Sequence, residues 1–237
     1  MSAQAAETKT AAQAYVETNV DFDKTVAIKA GDMDFSPTPM VGVHRMMFER
    51  RGDEVAKRAT SVVSYAPKSY FNSHVHGGGE EFITLEGVFS DEHGHYPKGT
   101  YVRNPVRSSH APFSDDGCVI FVKLAQMPED EASGQHVLDF NSGDWQAVGE
   151  NIEKLALWSS EHEDTNMLRF AAGYASHEAQ SFDRVSEYFV YEGDVNINGV
   201  DYVERSWVRI AAGEPITISS ANGATVYNKL GTGFVRT

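Results

Sequence analysis

The 237-residue chain has a single cysteine, Cys118. One thiol cannot form an intramolecular disulfide and supports no CxxC metal or redox site; it fits a reducing, cytoplasmic setting. Basic residues are also scarce: 20 Lys and Arg stand against 34 Asp and Glu, a formal net charge of −14. That balance excludes the clustered cations a phosphate backbone demands, so no nucleic-acid partner is expected. No window approaches the roughly 18 consecutive apolar residues of a transmembrane helix, and no membrane partner is expected either. The polar, alanine-rich start lacks the apolar core of a signal peptide, and residues 1–19 read as a flexible N-terminal arm. In contrast, 41% of residues are hydrophobic, 11% are aromatic and 20 are glycine, which supplies a core and the means for many tight turns.

The body reads as all-β. Runs such as Ala59–Ala66, Glu81–Glu86 and Cys118–Leu124 are separated by punctuating Gly77-Gly78-Gly79, Pro97-Lys98-Gly99 and Asp115-Asp116-Gly117. Short strands at near-regular spacing predict an antiparallel sandwich or barrel. Helical periodicity is confined to Trp145–Leu157, expected as a linker helix or loop. Sliding the chain along itself by 106 residues lays Glu81-Phe-Ile-Thr-Leu-Glu-Gly87 on Glu187-Tyr-Phe-Val-Tyr-Glu-Gly193. The same offset lays Gly117 on Gly223 and Lys123-Leu124 on Lys229-Leu230. Two copies of one strand plan are therefore expected, over 20–130 and 140–237.

Chemistry is concentrated in the first copy, in Asn72-Ser-His74-Val-His76-Gly-Gly-Gly-Glu80-Glu81. Side chains at i and i+2 of a strand leave by the same face, so His74 and His76 can enter one interior together. The glycine run permits the sharp turn that returns Glu80 beside them. A fourth donor, His110, follows in Asn104-Pro-Val-Arg-Ser-Ser-His110. Imidazole and carboxylate suit one divalent ion, iron or zinc before manganese or nickel. A second pair, His93 and His95, lies in a turn-like Asp91-Glu-His-Gly-His stretch and reads as surface loop. If Glu80 faces inward, Phe82 and Thr84 do too, while Tyr101 or Arg103 lines the barrel according to register; these four are candidate pocket residues.

His-x-His-x3-Glu-x6-Gly, from His74 to Gly87, resembles the first cupin motif, and Gly99-x5-Pro105-x-Arg107-x2-His110 resembles the second. More narrowly, the stretch over residues 35–125 resembles the ChrR-like cupin group. The resemblance implies two tandem double-stranded β-helix (jelly-roll) barrels, a bicupin, with His74, His76, Glu80 and His110 converging on one metal in the first. The family pattern has glycine where this chain has Arg107. A turn requiring φ > 0 would make that arginine cost about 1 kcal/mol. In the second copy the 106-residue offset puts Gln180, Phe182, Ser186 and Ile216 at the four ligand positions, so that barrel is expected to be degenerate and without metal.

Two function classes follow. One is a non-haem-iron-type dioxygenase acting on a small carbonyl or phenolic compound. The other is a ligand- or stress-sensing regulatory cupin related to ChrR-type anti-sigma factors, without their Cys-containing zinc domain. A small-molecule substrate or ligand is the expected partner in both. The repeated plan predicts a monomeric pseudo-dimer or a homodimer, the second half covering an apolar face of the first.

Overall fold

The computed structural model describes residues 14–130 and 134–231. Among the described residues every regular element is a β-strand, and none is a helix able to cross a membrane. The chain divides into two compact units. In the first, the main sheet runs in the order Val16–Thr18, Val43–Gly52, Ala56–Tyr65, Cys118–Leu124, Glu80–Asp91, Thr100–Asn104, His136–Asp139. In the second the order is Gln146–Gly149, Ile152–Ser159, Asp164–Phe170, Ala224–Leu230, Ser186–Ile197, Trp207–Ile210, Val26–Ile28. Each unit adds one small two-stranded ribbon: His74–His76 with Ser108–His110, and Gln180–Ser181 with Pro215–Ile216.

The internal repeat is visible strand by strand. Glu80–Asp91 and Ser186–Ile197 are displaced by 106 residues, as are Cys118–Leu124 and Ala224–Leu230. Both long strands carry a β-bulge at the same place. Val119 and Ile120 pair with Glu86 and Thr84, leaving Leu85 extra; Thr225 and Val226 pair with Glu192 and Val190, leaving Tyr191 extra. A bulge reverses inside–outside parity along the strand. Just beyond it lie Gly87 and Gly193, with φ of 67° and 80°. A Cβ on Gly87 would collide with the Gly117 carbonyl oxygen, and one on Gly193 with that of Gly223. The glycines that revealed the repeat are thus fixed by backbone-to-backbone approach.

Three expectations change. Trp145–Leu157 is a hairpin, Gln146–Gly149 with Ile152–Ser159, turned at Asn151 with φ 60°. Leu155 and Leu157 are buried around an exposed Ala156, a period of two that overrides the helical reading. Of the expected arm over 1–19, residues 1–13 lie outside the described residues, whereas Val16–Thr18 pairs against Gly52, Arg51 and Arg50. Finally, Asp21–Met33 groups with the second unit rather than with a domain over 20–130. Val26, Ala27 and Ile28 add an edge strand against Arg209, Val208 and Trp207, covering backbone groups that would otherwise be unpaired.

The first interior packs Phe82, Phe89, Tyr96, Val102, Ile120 and Val122. The second packs Phe170, Tyr188, Val190, Tyr202, Ile210 and Ile216, with Phe182 against them.

The glycine geometry gives a graded test. Gly213 also has positive φ, but no atom lies within 4 Å of the point a Cβ would occupy. Gly213→Ala should cost about 1–2 kcal/mol from backbone strain alone. Gly87→Ala and Gly193→Ala should each cost about 3 kcal/mol or more, because overpacking adds to that strain. Denaturant midpoints of the three variants check the order; equal losses would contradict it.

Candidate metal centre

The two-stranded ribbon builds the site. His74 pairs with His110 and His76 with Ser108, so all four side chains share one face. The ligand atoms of the three histidines lie within 4.8 Å of one another. His76 and His110 face each other through their Nε2 atoms at 2.9 Å. Glu80 enters from the neighbouring long strand, its Oε2 lying 3.6 Å from His76 Nε2 and 3.5 Å from His110 Nε2. The turn before it closes through Gly79 N to His76 O at 3.1 Å, with Gly79 at φ 76°. The structure therefore brings together His74, His76, Glu80 and His110.

Each ligand is oriented from behind. His74 Nδ1 donates to Asn72 O at 3.0 Å, and His110 Nδ1 donates to Asp91 Oδ2 at 3.0 Å. Both arrangements turn the Nε2 lone pair toward the cluster, the usual outer support of a metal-ligating imidazole. Asn104 Nδ2 donates to Glu80 Oε2 at 3.0 Å. Asp91 also accepts from the Tyr96 hydroxyl at 3.1 Å and the His93 amide at 2.8 Å. The Phe71 and Phe89 rings flank His74 and His110 at 6.0 and 6.1 Å.

The protonation states follow from these contacts. Burial pulls His76 below the ordinary histidine value, so it stays neutral. Burial acts the same way on His110, but the Asp91 hydrogen bond and the Glu80 charge outweigh it and hold this group above that value. Burial would raise Glu80, yet the imidazoles of His76 and His110 and the Asn104 amide bring it below the usual glutamate value. The carboxylate is ionised.

This donor set fits a divalent cation. Two imidazole lone pairs aimed at each other across 2.9 Å repel unless a proton or a cation lies between them. Ligands at about 2.1 Å and right angles around one ion sit about 3.0 Å apart, close to the separation seen. An ion that takes six ligands would, on these four donors, keep two places for other groups.

The remaining expected pocket residues are placed differently. Val102 and Asn104 pair with Phe82 and Glu80, so these four share the inward face. Tyr101 and Arg103 fall on the other face, where both donate to Glu81 Oε2, at 2.8 and 2.9 Å; they do not line the site. Phe82 is core, 4.7 Å from Phe89 between ring centroids, and Thr84 is fully buried beyond it. A cavity of about 280 Å3 instead borders the centre at Asn104 and His110 and is lined further by Ser108, Gln135 and His93. His93 is exposed in a turn as expected, whereas His95, also exposed, lies on the strand Gly94–Pro97 and pairs with Ser90, so the loop reading does not hold for it. Arg107 has φ 67°, so the turn does require the left-handed conformation; its side chain is 74% exposed and 3.7 Å from Glu129.

Sequence reasoning missed Asp91, Tyr96, Asn104 and Gln135. Counting alternate residues from Glu80 puts Asp91 outside, and only the bulge at Leu85 brings it in.

Residues 23–128 match the family model of the ChrR cupin-like domain. Comparison with curated proteins gives no match. Among solved structures, protein Ylba from E. coli is similar at 14% identity and TM-score 0.69, over 92% of this chain and 95% of that one. The pirin YhhW from Escherichia coli in complex with nickel(II) is similar at 15% identity and TM-score 0.65, over 87% and 98%. Salicylate 1,2-dioxygenase from Pseudoaminobacter salicylatoxidans, with gentisate adducts, aligns at 10% identity and TM-score 0.59, over 74% and 68%. The architecture is the cupin fold.

One metal equivalent per chain is expected, lost in His76→Ala. Protons compete for the imidazoles, so occupancy should fall as pH drops through about 6, near the unperturbed histidine value. Elemental analysis across a pH series measures both; a second equivalent that survives His76→Ala, or full occupancy at pH 4, would contradict the assignment.

Proposed function

We propose that the chain is a bicupin whose first unit holds one divalent metal ion on His74, His76, His110 and Glu80 and oxidises a small carbonyl or phenolic compound with dioxygen. The observation that carries this reading is the cluster of three imidazoles whose ligand atoms lie within 4.8 Å of one another, with the ionised Glu80 carboxylate 3.6 and 3.5 Å from two of them. When bound, the metal supplies a Lewis acid that lowers the pKa of an enol or phenol and a place where dioxygen meets it.

The chain's own residues do the rest. Asp91 keeps His110 in the tautomer with its proton on Nδ1, and Asn104 keeps Glu80 turned toward the imidazoles. Phe71 and Phe89 flank His74 and His110 with apolar rings. The adjoining cavity, at about 280 Å3, is at the small end of ligand pockets and suits a compact substrate. Both oxygen atoms enter the product, so the reaction needs no external reductant. The fold likeness to a dioxygenase crystallised with gentisate adducts supports a phenolic or enolic substrate.

The test is oxygen uptake by Fe(II)-loaded protein against a panel of diketones and hydroxylated aromatic acids. One dioxygen consumed per substrate, reduced at least 100-fold in His76→Ala, is the expected result. Melting-temperature shifts without any oxygen uptake would assign the ligand-sensing role instead.

A further inference from the structure

We infer that Gln135 is a positioning residue that holds two metal ligands at once without touching either, an inference that rests on the metal-centre reading above. Its amide Nε2 lies 3.1 Å from the Tyr96 hydroxyl and 2.9 Å from Asn104 Oδ1. Two paths lead inward from there. Along one, Tyr96 donates to Asp91 Oδ1 at 3.1 Å, and Asp91 Oδ2 accepts from His110 at 3.0 Å. Along the other, Asn104 Nδ2 donates to Glu80 Oε2 at 3.0 Å. His110 and Glu80 meet at 3.5 Å, which closes the ring.

The donor directions are fixed by chemistry. Ionised Asp91 and Glu80 only accept, so Tyr96 gives its one hydrogen to Asp91, and Asn104 turns its amide nitrogen to Glu80. That leaves the Tyr96 oxygen and Asn104 Oδ1 as acceptors facing the same point. A primary amide nitrogen, with two hydrogens, satisfies both. Hydrogen bonds that run head to tail in this way polarise one another and stiffen the chain. Gln135 is held there by the strand it precedes, since His136 pairs with Arg103 beside Asn104. It belongs to neither histidine motif and lies past the stretch matched by the family model, which ends at 128.

The experiment uses the full chain and Co(II), with affinity read by chelator competition and geometry by the visible d–d spectrum. Gln135 is an exposed residue, so Gln135→Ala should leave the melting temperature of the metal-free protein unchanged. Outer-layer partners of ligands typically govern affinity by 10–100-fold, and for this more remote residue a loss of about 3–10-fold is expected, with a shifted spectrum. In a Tyr96→Phe, Asn104→Ala background both paths are already cut, and Gln135→Ala should add nothing. Unchanged affinity and spectrum in Gln135→Ala overturn the proposal. So does a full further loss in the double-variant background, or an affinity loss matched by a lower metal-free melting temperature with an unaltered spectrum. Wild-type protein that takes up no Co(II) would overturn the metal-centre reading itself, a failure visible before any variant is made.

Discussion

A buried carboxylate, Glu80, set beside the buried imidazoles of His76 and His110 with the partly exposed His74 next to them, is the constraint on which the first unit depends. An ionised Glu80 inside a low-dielectric interior costs several kcal/mol unless donors surround it. Asn104 donates to Glu80, a cation held beside it would supply the rest, and Asp91 fixes His110 by accepting from its Nδ1. None of these partners is free to choose its face. Strand register sets Asn104 opposite Glu80, and ribbon register sets Ser108 opposite His76. The site is therefore a property of the sheet, and a one-residue slip in either pairing would empty it.

The β-bulge at Leu85 lets one strand serve two purposes. Before it, Glu80 and Phe82 face inward; after it, Phe89 and Asp91 do, although their spacing from Glu80 is odd. This explains what could be read from the amino-acid sequence and what could not. His74 and His76 at i and i+2, the glycine run and Glu80 are local features whose chemistry shows in their spacing. The repeat was legible too, because glycines forced by close backbone approach cannot drift. Asp91, Asn104 and Gln135 act through pairing partners chosen by register, and no residue announces a bulge or a register. Tyr101 and Arg103 failed as pocket residues for the same reason: they alternate with Val102 and Asn104, and register gave the inward face to the latter pair.

The segment Asp21–Met33 was illegible for a different reason. Its strand, Val26–Ile28, has only three residues and pairs with a partner far along the chain. Short edge strands carry almost no periodic signal, and their partner is chosen by which sheet edge lies unpaired.

The second unit shows what the same scaffold does when the constraint is lifted. Gln180 pairs with Ile216 where His74 pairs with His110, and Ser186 stands where Glu80 does. Ile216 and Phe182 join an apolar cluster, and strand order, bulge and close glycine contact all persist. Replacing a buried ionic cluster with packed apolar groups is often neutral or stabilising. A unit that keeps the plan without the ligands therefore argues that the fold resides in sheet pairing and backbone approach, not in a bound ion. It follows that the ligand cluster of the first unit is carried at some expense to stability. An interior tuned only for stability would resemble the second unit. The first departs from it at the three histidines and Glu80, the positions that break the apolar pattern of the second.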